Sequence, residues 1–276
     1  MAMRTNARGP SYRVLNRGDV TLACADYGGR GDPVVFLHGL AGHAEEWAET
    51  ADWLADSHRV LALDARAHGR SERSPSDTSR AAHVADVEFW LERLALGPVT
   101  LVGQSLGGHT AFLVAARRPD LISGLVVAEA TPEPDRDAPE NVRRWLESWH
   151  VPFASREAAL GFFGGHTLWA RAWADGLEAS LGGLRPRFDI NVLIATLQET
   201  AERDYWQEWT CTRAPSLVVR AEDGVPRDVA LRMVEARPGV RLAEITGARH
   251  DVHLEQPAQW RAALESFLGG EGGART

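Results

Sequence analysis

Short apolar runs and longer amphipathic stretches alternate along most of this chain. Apolar runs at residues 33–37, 59–63, 99–104, 121–128, 216–220 and 240–245 predict strands, and the uninterrupted run Pro33-Val34-Val35-Phe36-Leu37 is of the kind buried on both faces of a parallel sheet. Residues 12–16 and 20–27 predict a hairpin turning at Arg17-Gly18-Asp19, because Gly and Asp tolerate a tight turn. Helices are predicted at 44–55, 80–94, 106–117, 227–235 and 257–267. Strands alternating with helices at this spacing imply right-handed crossovers and a mostly parallel α/β sheet.

The alternation stops at Thr131-Pro132-Glu133-Pro134-Asp135 and resumes near residue 211. The segment between reads as helical, short of strands and rich in tryptophan: Trp145, Trp149, Trp169, Trp173, Trp206 and Trp209 all fall in it. A helical unit, 131–210, is therefore expected to interrupt one sheet built from 1–130 and 211–276. Residues 1–11 and the Gly-rich tail 269–276 are expected to be loose.

Composition narrows the class. A length of 276 residues with 44% hydrophobic and 25% charged positions suits one large α/β domain with an insertion. The net charge of -8 argues against nucleic acid or an anionic membrane as partner. All 30 basic residues are arginine, which excludes Schiff-base chemistry and a phosphate-loop lysine and points to a GC-rich, bacterial genome. Cys24 and Cys211 make neither a disulfide framework nor a metal site. The first residues lack a signal-peptide core and no apolar run approaches the ~18 residues of a membrane span, so a cytoplasmic location is expected.

The chemistry concentrates at Gly103-Gln104-Ser105-Leu106-Gly107, a G-x-S-x-G pattern that follows a strand and opens a helix. A serine there sits on a strained turn, and bulk at Gly103 or Gly107 would clash. Ser105 is the candidate nucleophile.

Four stretches in this order resemble the α/β-hydrolase superfamily over roughly residues 20–130 and 212–268. They are Leu37-His38-Gly39-Leu40, Asp64-Ala65-Arg66-Ala67-His68-Gly69-Arg70-Ser71, the serine motif, and Gly247-Ala248-Arg249-His250-Asp251-Val252-His253-Leu254-Glu255-Gln256-Pro257. The resemblance implies that fold with a helical lid after the sixth strand, no cofactor and no metal. It makes His250 the base that takes the serine proton. The other histidines then have lesser parts: His253 packs against the sheet, His38 and His68 shape their loops, and His109 points away, while His43, His150 and His166 stay open. The oxyanion of acyl transfer would be held by the backbone N–H groups of Leu106, at a helix N-terminus, and Leu40.

The third group has two candidates. Most of the superfamily carries its acid after the strand equivalent to 217–220, but Ala221-Glu222-Asp223-Gly224 puts glycine at that place and Asp223 one position early. A subset of the fold, to which certain haloalkane dehalogenases are similar, instead carries the acid at the end of the preceding strand, here Glu129. The reading leans to Glu129, since displacing a carboxylate by one residue re-aims it by several ångström and orientation is what this group supplies. The expected reaction is hydrolysis of a small apolar ester or lactone through an acyl-serine. The lid aromatics, with Phe162 and Phe163, suggest an apolar or aromatic carbonyl substrate, and a homodimer stays open. Two other readings compete: a cofactor-free cyclase, lyase, perhydrolase or oxygenase on the same scaffold, and a binding protein that has lost turnover.

Overall fold

The computed structural model describes residues 9–270, so the loose start expected before residue 9 and the tail beyond Gly270 lie outside the described residues. Strand β1 (Ser11–Arg17) pairs with β2 (Val20–Gly28) in the expected hairpin, with Gly18 at φ +62 in its turn. Then come β3 (Pro33–Leu37), a 3-10 turn at Ala44–Trp47 running into α1 (Ala48–Leu54), β4 (Arg59–Asp64), α2 (Arg80–Leu94), β5 (Val99–Gln104), α3 (Leu106–Arg117) and β6 (Ile122–Ala128). The single helix expected at 44–55 thus opens as a tighter turn. Its first N–H, on Ala44, donates to Asp64 Oδ1 at 2.7 Å, and the Glu46 carboxylate reaches back to the N–H of His43 at 3.2 Å.

Between β6 and the next sheet strand lie α4 (Ala138–Glu147), α5 (Arg156–Phe162), α6 (Leu168–Asp175), β7 (Leu177–Ser180), β8 (Gly183–Pro186), α7 (Ile190–Glu202) and α8 (Trp206–Cys211). The sheet resumes with β9 (Ser216–Ala221), α9 (Arg227–Glu235), β10 (Val240–Ile245), a short α10 (Val252–Glu255) and α11 (Pro257–Gly269). The eight sheet strands run in the order β1-β2-β4-β3-β5-β6-β9-β10, antiparallel across β1, β2 and β4 and parallel elsewhere.

Alternate side chains of the central strands feed two cores. Val35, Leu37, Leu61, Leu63, Leu101 and Val127 meet α2, α3 and α9, while Val34, Phe36, Val60, Ala62, Val102 and Val126 meet α1 and α11. Burial on both faces is why these strands read as unbroken apolar runs. The inserted helices build a third cluster around Leu146, Trp149, Phe153, Leu160 and Phe163.

The insertion departs from the all-helical expectation through the hairpin β7–β8. Gly182 and Gly183 turn it at φ +87 and +149, and Phe153 and Leu184 exchange two backbone hydrogen bonds of 2.8 Å. A Cβ at Gly183 would lie 2.2 Å from the Phe153 carbonyl oxygen, so only glycine permits this approach. Leu, Ala and Glu favour helix locally, and the tertiary pairing overrides them. Trp209 also departs from the aromatic cluster of the insertion: it is buried edge-on against Phe112 of α3, with its indole N–H donating to the Met233 carbonyl at 2.9 Å.

The loop after β4 is held by its own polar side chains. Asp64 accepts N–H groups from Ala44 at 2.7 Å and Arg70 at 3.0 Å, and Arg66 holds Asp86 of α2 through two bonds of 2.6 and 2.7 Å. Ser71 donates to the Asp64 carbonyl at 2.7 Å and accepts from the N–H of Ala23 at 2.9 Å. Each polar side chain of that motif therefore closes a local bond. Among the described residues no helix is long and apolar enough to cross a membrane.

Candidate active site

Ser105 joins β5 to α3 at φ +51, ψ -119, a conformation that costs a non-glycine residue strain energy. The turn survives because its neighbours are bare. A Cβ at Gly103 would sit 2.3 Å from the Gly107 carbonyl oxygen, and one at Gly107 would sit 2.3 Å from that of Leu37. The N–H of Ser105 donates to the Ala128 carbonyl at 2.8 Å, tying the turn to the end of β6. The end of β3 presses on the serine from the other side: a Cβ at Gly39 would lie 3.3 Å from Ser105 Cβ. Ser105 and Leu40 line one open cleft of about 810 Å³, together with Glu129, Asp223, Asp251 and His250. Leu106 opens α3 immediately after the serine, where its backbone N–H is one of the groups a helix start leaves without an internal partner.

His250, on the loop between β10 and α10, has 54% of its side chain exposed, and its Nδ1 lies 3.4 Å from Glu129 Oε2. Glu129 is 4% exposed and, like Ser105, has a positive φ, +50. Its carboxylate is anchored by the N–H of Ala221 at 2.6 Å and that of Val225 at 3.2 Å. Gly224 makes this arrangement feasible. A Cβ there would stand 2.0 Å from Glu129 Oε2, so the glycine at the position where most of the superfamily has its acid vacates the space this glutamate fills. Asp223 lines the same cleft and its N–H donates to the Ala248 carbonyl at 3.2 Å, but its carboxylate makes no hydrogen bond to His250 among the described residues. Desolvation alone would lower the pKa of His250. The hydrogen bond to Glu129 and the charges of Asp251, Glu129 and Glu255 outweigh it and hold the imidazole above its ordinary value of 6.5.

The remaining histidines separate by environment. His38 Nε2 accepts the N–H of Ala65 at 3.0 Å, His68 Nδ1 faces the Arg66 carbonyl at 2.8 Å, and His109 is buried between Phe112 and Tyr205. His253 stacks on Trp47 with ring centres 4.1 Å apart, as its packing role requires. His43 is buried with Nε2 2.9 Å from the Ala172 carbonyl of α6. His150 and His166 are exposed on the insertion, and neither lines the cleft. Phe163 is buried within the insertion and Phe162 lies on its outside, so the aromatic wall of the cleft consists of Trp145, Trp169 and Trp173.

Sequence reasoning passed over four polar residues here. Glu255 accepts the N–H groups of Arg249, His250 and Asp251 at 3.0, 3.0 and 2.8 Å and so shapes the histidine loop. Its place five residues after His250 in a motif ending in proline was the available signal. Gln104, at the end of β5, donates to the loop at the His250 carbonyl and at Asp251 Oδ1, and Glu46 lines the cleft with its carboxyl pushed up to about 7 by burial. Nothing in the local pattern marks these three.

Comparison with known proteins agrees with this architecture. A sequence profile of the alpha/beta hydrolase fold matches residues 32–257. The sn-1-specific diacylglycerol lipase ABHD11 of Mus musculus is 41% identical over an alignment covering 94% of this chain and 84% of that protein. The 2-(acetamidomethylene)succinate hydrolase of Mesorhizobium japonicum is 24% identical, with 93% and 94% covered. A crystal structure of E-2-(acetamidomethylene)succinate hydrolase superposes with a TM-score of 0.86 at 24% identity, over 94% of this chain and 99% of that one. With this fold, a serine at its strained turn and hydrolases among its relatives, the chain belongs to the α/β-hydrolase fold family and is a hydrolase.

Proposed function

We propose that this protein cleaves a small apolar ester or lactone through an acyl-serine. Ser105 Oγ attacks the carbonyl carbon while His250 takes its proton, and Glu129 holds the imidazole with Nδ1 protonated so that the other ring nitrogen can accept. The backbone N–H groups of Leu106 and Leu40 receive the oxyanion, where fixed dipoles need no reorganisation as charge develops. The protonated imidazole then gives its proton to the departing alkoxide, and water activated by the same base releases the acid.

The observation that carries this reading is the 3.4 Å contact between Glu129 and His250 at the rim of the cleft that Ser105 lines. The substrate class is supported by the apolar wall of Leu40, Val142, Trp145, Trp173 and Leu197 and by the mouse relative's name as a lipase. The inserted helices act as a lid over the cleft, and the partner is a small apolar or aromatic carbonyl substrate, not nucleic acid or a membrane, with a homodimer left open. The test is fluorophosphonate labelling together with turnover of short p-nitrophenyl esters. Both are expected in the natural chain and absent in Ser105→Ala; a natural chain that neither labels nor turns over would overturn the proposal.

A further inference from the structure

The residue after His250 draws together three parts of the molecule that are distant in sequence. Asp251 Oδ2 accepts the indole N–H of Trp169, on α6 of the insertion, at 2.6 Å. Asp251 Oδ1 accepts from Nε2 of Gln104, the last residue of β5 and the one before Ser105, at 3.2 Å. The same amide nitrogen donates to the His250 carbonyl at 3.1 Å. Gln104 is 1% exposed, so its amide has no water to replace these partners, and a buried donor left without one is costly. One carboxylate thus receives the insertion on one oxygen and the nucleophile strand on the other, while its own backbone continues into the candidate base.

We propose that Asp251 is a positioning residue for His250, and that its bond to Trp169 makes the alignment of His250 depend on the docking of the inserted helices. The inference rests on the reading of Ser105 and His250 as nucleophile and base. When α6 is seated, the Trp169 N–H fixes the Asp251 carboxylate, Gln104 completes the bridge, and the imidazole is held toward the serine. When α6 is displaced, the carboxylate turns to water, the loop loosens, and fewer molecules present an aligned base. A misalignment well under an ångström suffices to slow proton transfer. Removing the Trp169–Asp251 bond alone, with the rings of α6 still lining the cleft, affects substrate binding much less. The charged and titratable groups around His250 are Glu129 at the end of β6, Asp223 in the turn after β9, and Arg249, Asp251, His253 and Glu255 on its own loop and helix.

The test compares Trp169→Phe, which removes the N–H and keeps a ring, with Asp251→Asn, which keeps the shape and removes the charge, and with the double variant. All are assayed in the full chain for kcat and KM on a short p-nitrophenyl ester across pH. Each single variant is expected to lower kcat about tenfold, as loss of a charge-assisted hydrogen bond does, with KM changed less than about twofold. The double variant should be no slower than the slower single one, because both remove the same link. In Asp251→Asn the acid limb of the profile should also move to lower pH, since one of the carboxylates beside the imidazole is gone, whereas in Trp169→Phe it should stay; a purely structural role would not move it. Losses that multiply in the double variant, an unchanged kcat in Trp169→Phe, or a loss confined to KM would overturn the proposal. If Asp251→Asn does not fold, Trp169→Phe alone decides, through a kcat that falls while KM holds. Fluorophosphonate should still label both single variants, more slowly; an unlabelled natural chain would instead sink the serine reading, and this inference with it.

Discussion

Replacing Glu129 by glutamine tests the geometry of the site most directly. The carbonyl oxygen of the new amide can take the place of Oε1 and keep the N–H groups of Ala221 and Val225, 2.6 and 3.3 Å from it, and that leaves its NH₂ at the place of Oε2, facing Nδ1 of His250. A donor now meets a donor, so the imidazole must present a bare Nδ1 and carry its proton on the nitrogen meant to receive that of Ser105. The size of the loss follows from the separation. Opposite unit charges 3.4 Å apart attract by about 5 kcal/mol at an effective dielectric of about 20. With 54% of the imidazole side chain exposed, solvent screening leaves about half of that, ~2.5 kcal/mol for the imidazolium formed in the transition state. The expected fall in kcat/KM on a p-nitrophenyl ester is therefore on the order of a hundredfold. The pH profile supplies a second reading. His250 must be neutral to act as base, and its pKa is raised, so the acid limb in the natural chain lies above 6.5 and should drop in Glu129→Gln. Asp223→Asn should cost less than about threefold. A loss in Glu129→Gln below about threefold, or an equal or larger loss in Asp223→Asn, would refute the assignment.

Two other expectations reach beyond that pair. Gly224→Ala alters none of the proposed catalytic side chains, yet its Cβ would fall 2.0 Å from Glu129 Oε2, so kcat/KM should drop to a level near that of Glu129→Gln, and natural activity in the alanine variant would show that the carboxylate does not need this space. Acid should destabilise the fold well before ordinary carboxylates titrate. Burial lowers the pKa of His68 to about 3 and of His253 to about 4, and depresses His83 and His109 well below 6.5. The unfolded chain then takes up protons that the native state refuses, so the stabilisation is complete above pH 6.5 and is lost as pH falls from there toward 4 and 3, by up to about 1.4 kcal/mol per pH unit for each histidine. Glu46, raised to about 7 from 4.5, and His250, raised above 6.5, work in the opposite sense, but they are two groups against four. The urea midpoint should fall steeply from pH 7 to pH 5; a flat midpoint would contradict the buried neutral histidines.

Much of the architecture was written in short-range pattern. Helices α2, α3 and α9 and strands β3, β5 and β10 fall at the residues that periodicity predicts, because a strand buried on both faces and a helix buried on one each impose a local rule on their own residues. Ser105 was legible for the same reason: its strained turn demands glycine two residues before and two after, within one pentapeptide. The hairpin β7–β8 was hidden because its residues favour helix locally, and only the distant backbone of Phe153 rewards the extended form.

Local pattern carried the fold family, the alternation of the sheet strands with their helices, the serine on its turn and a short list of candidate partners. Which carboxylate lies against His250, how Gly224 makes room for it, and that Asp251 joins Gln104 to Trp169 came only with the folded chain. The difference is one of range. Backbone propensity and burial period act over a few residues, whereas Glu129 and His250 are 121 positions apart and meet only after β6, β9 and β10 have taken their places side by side in the sheet.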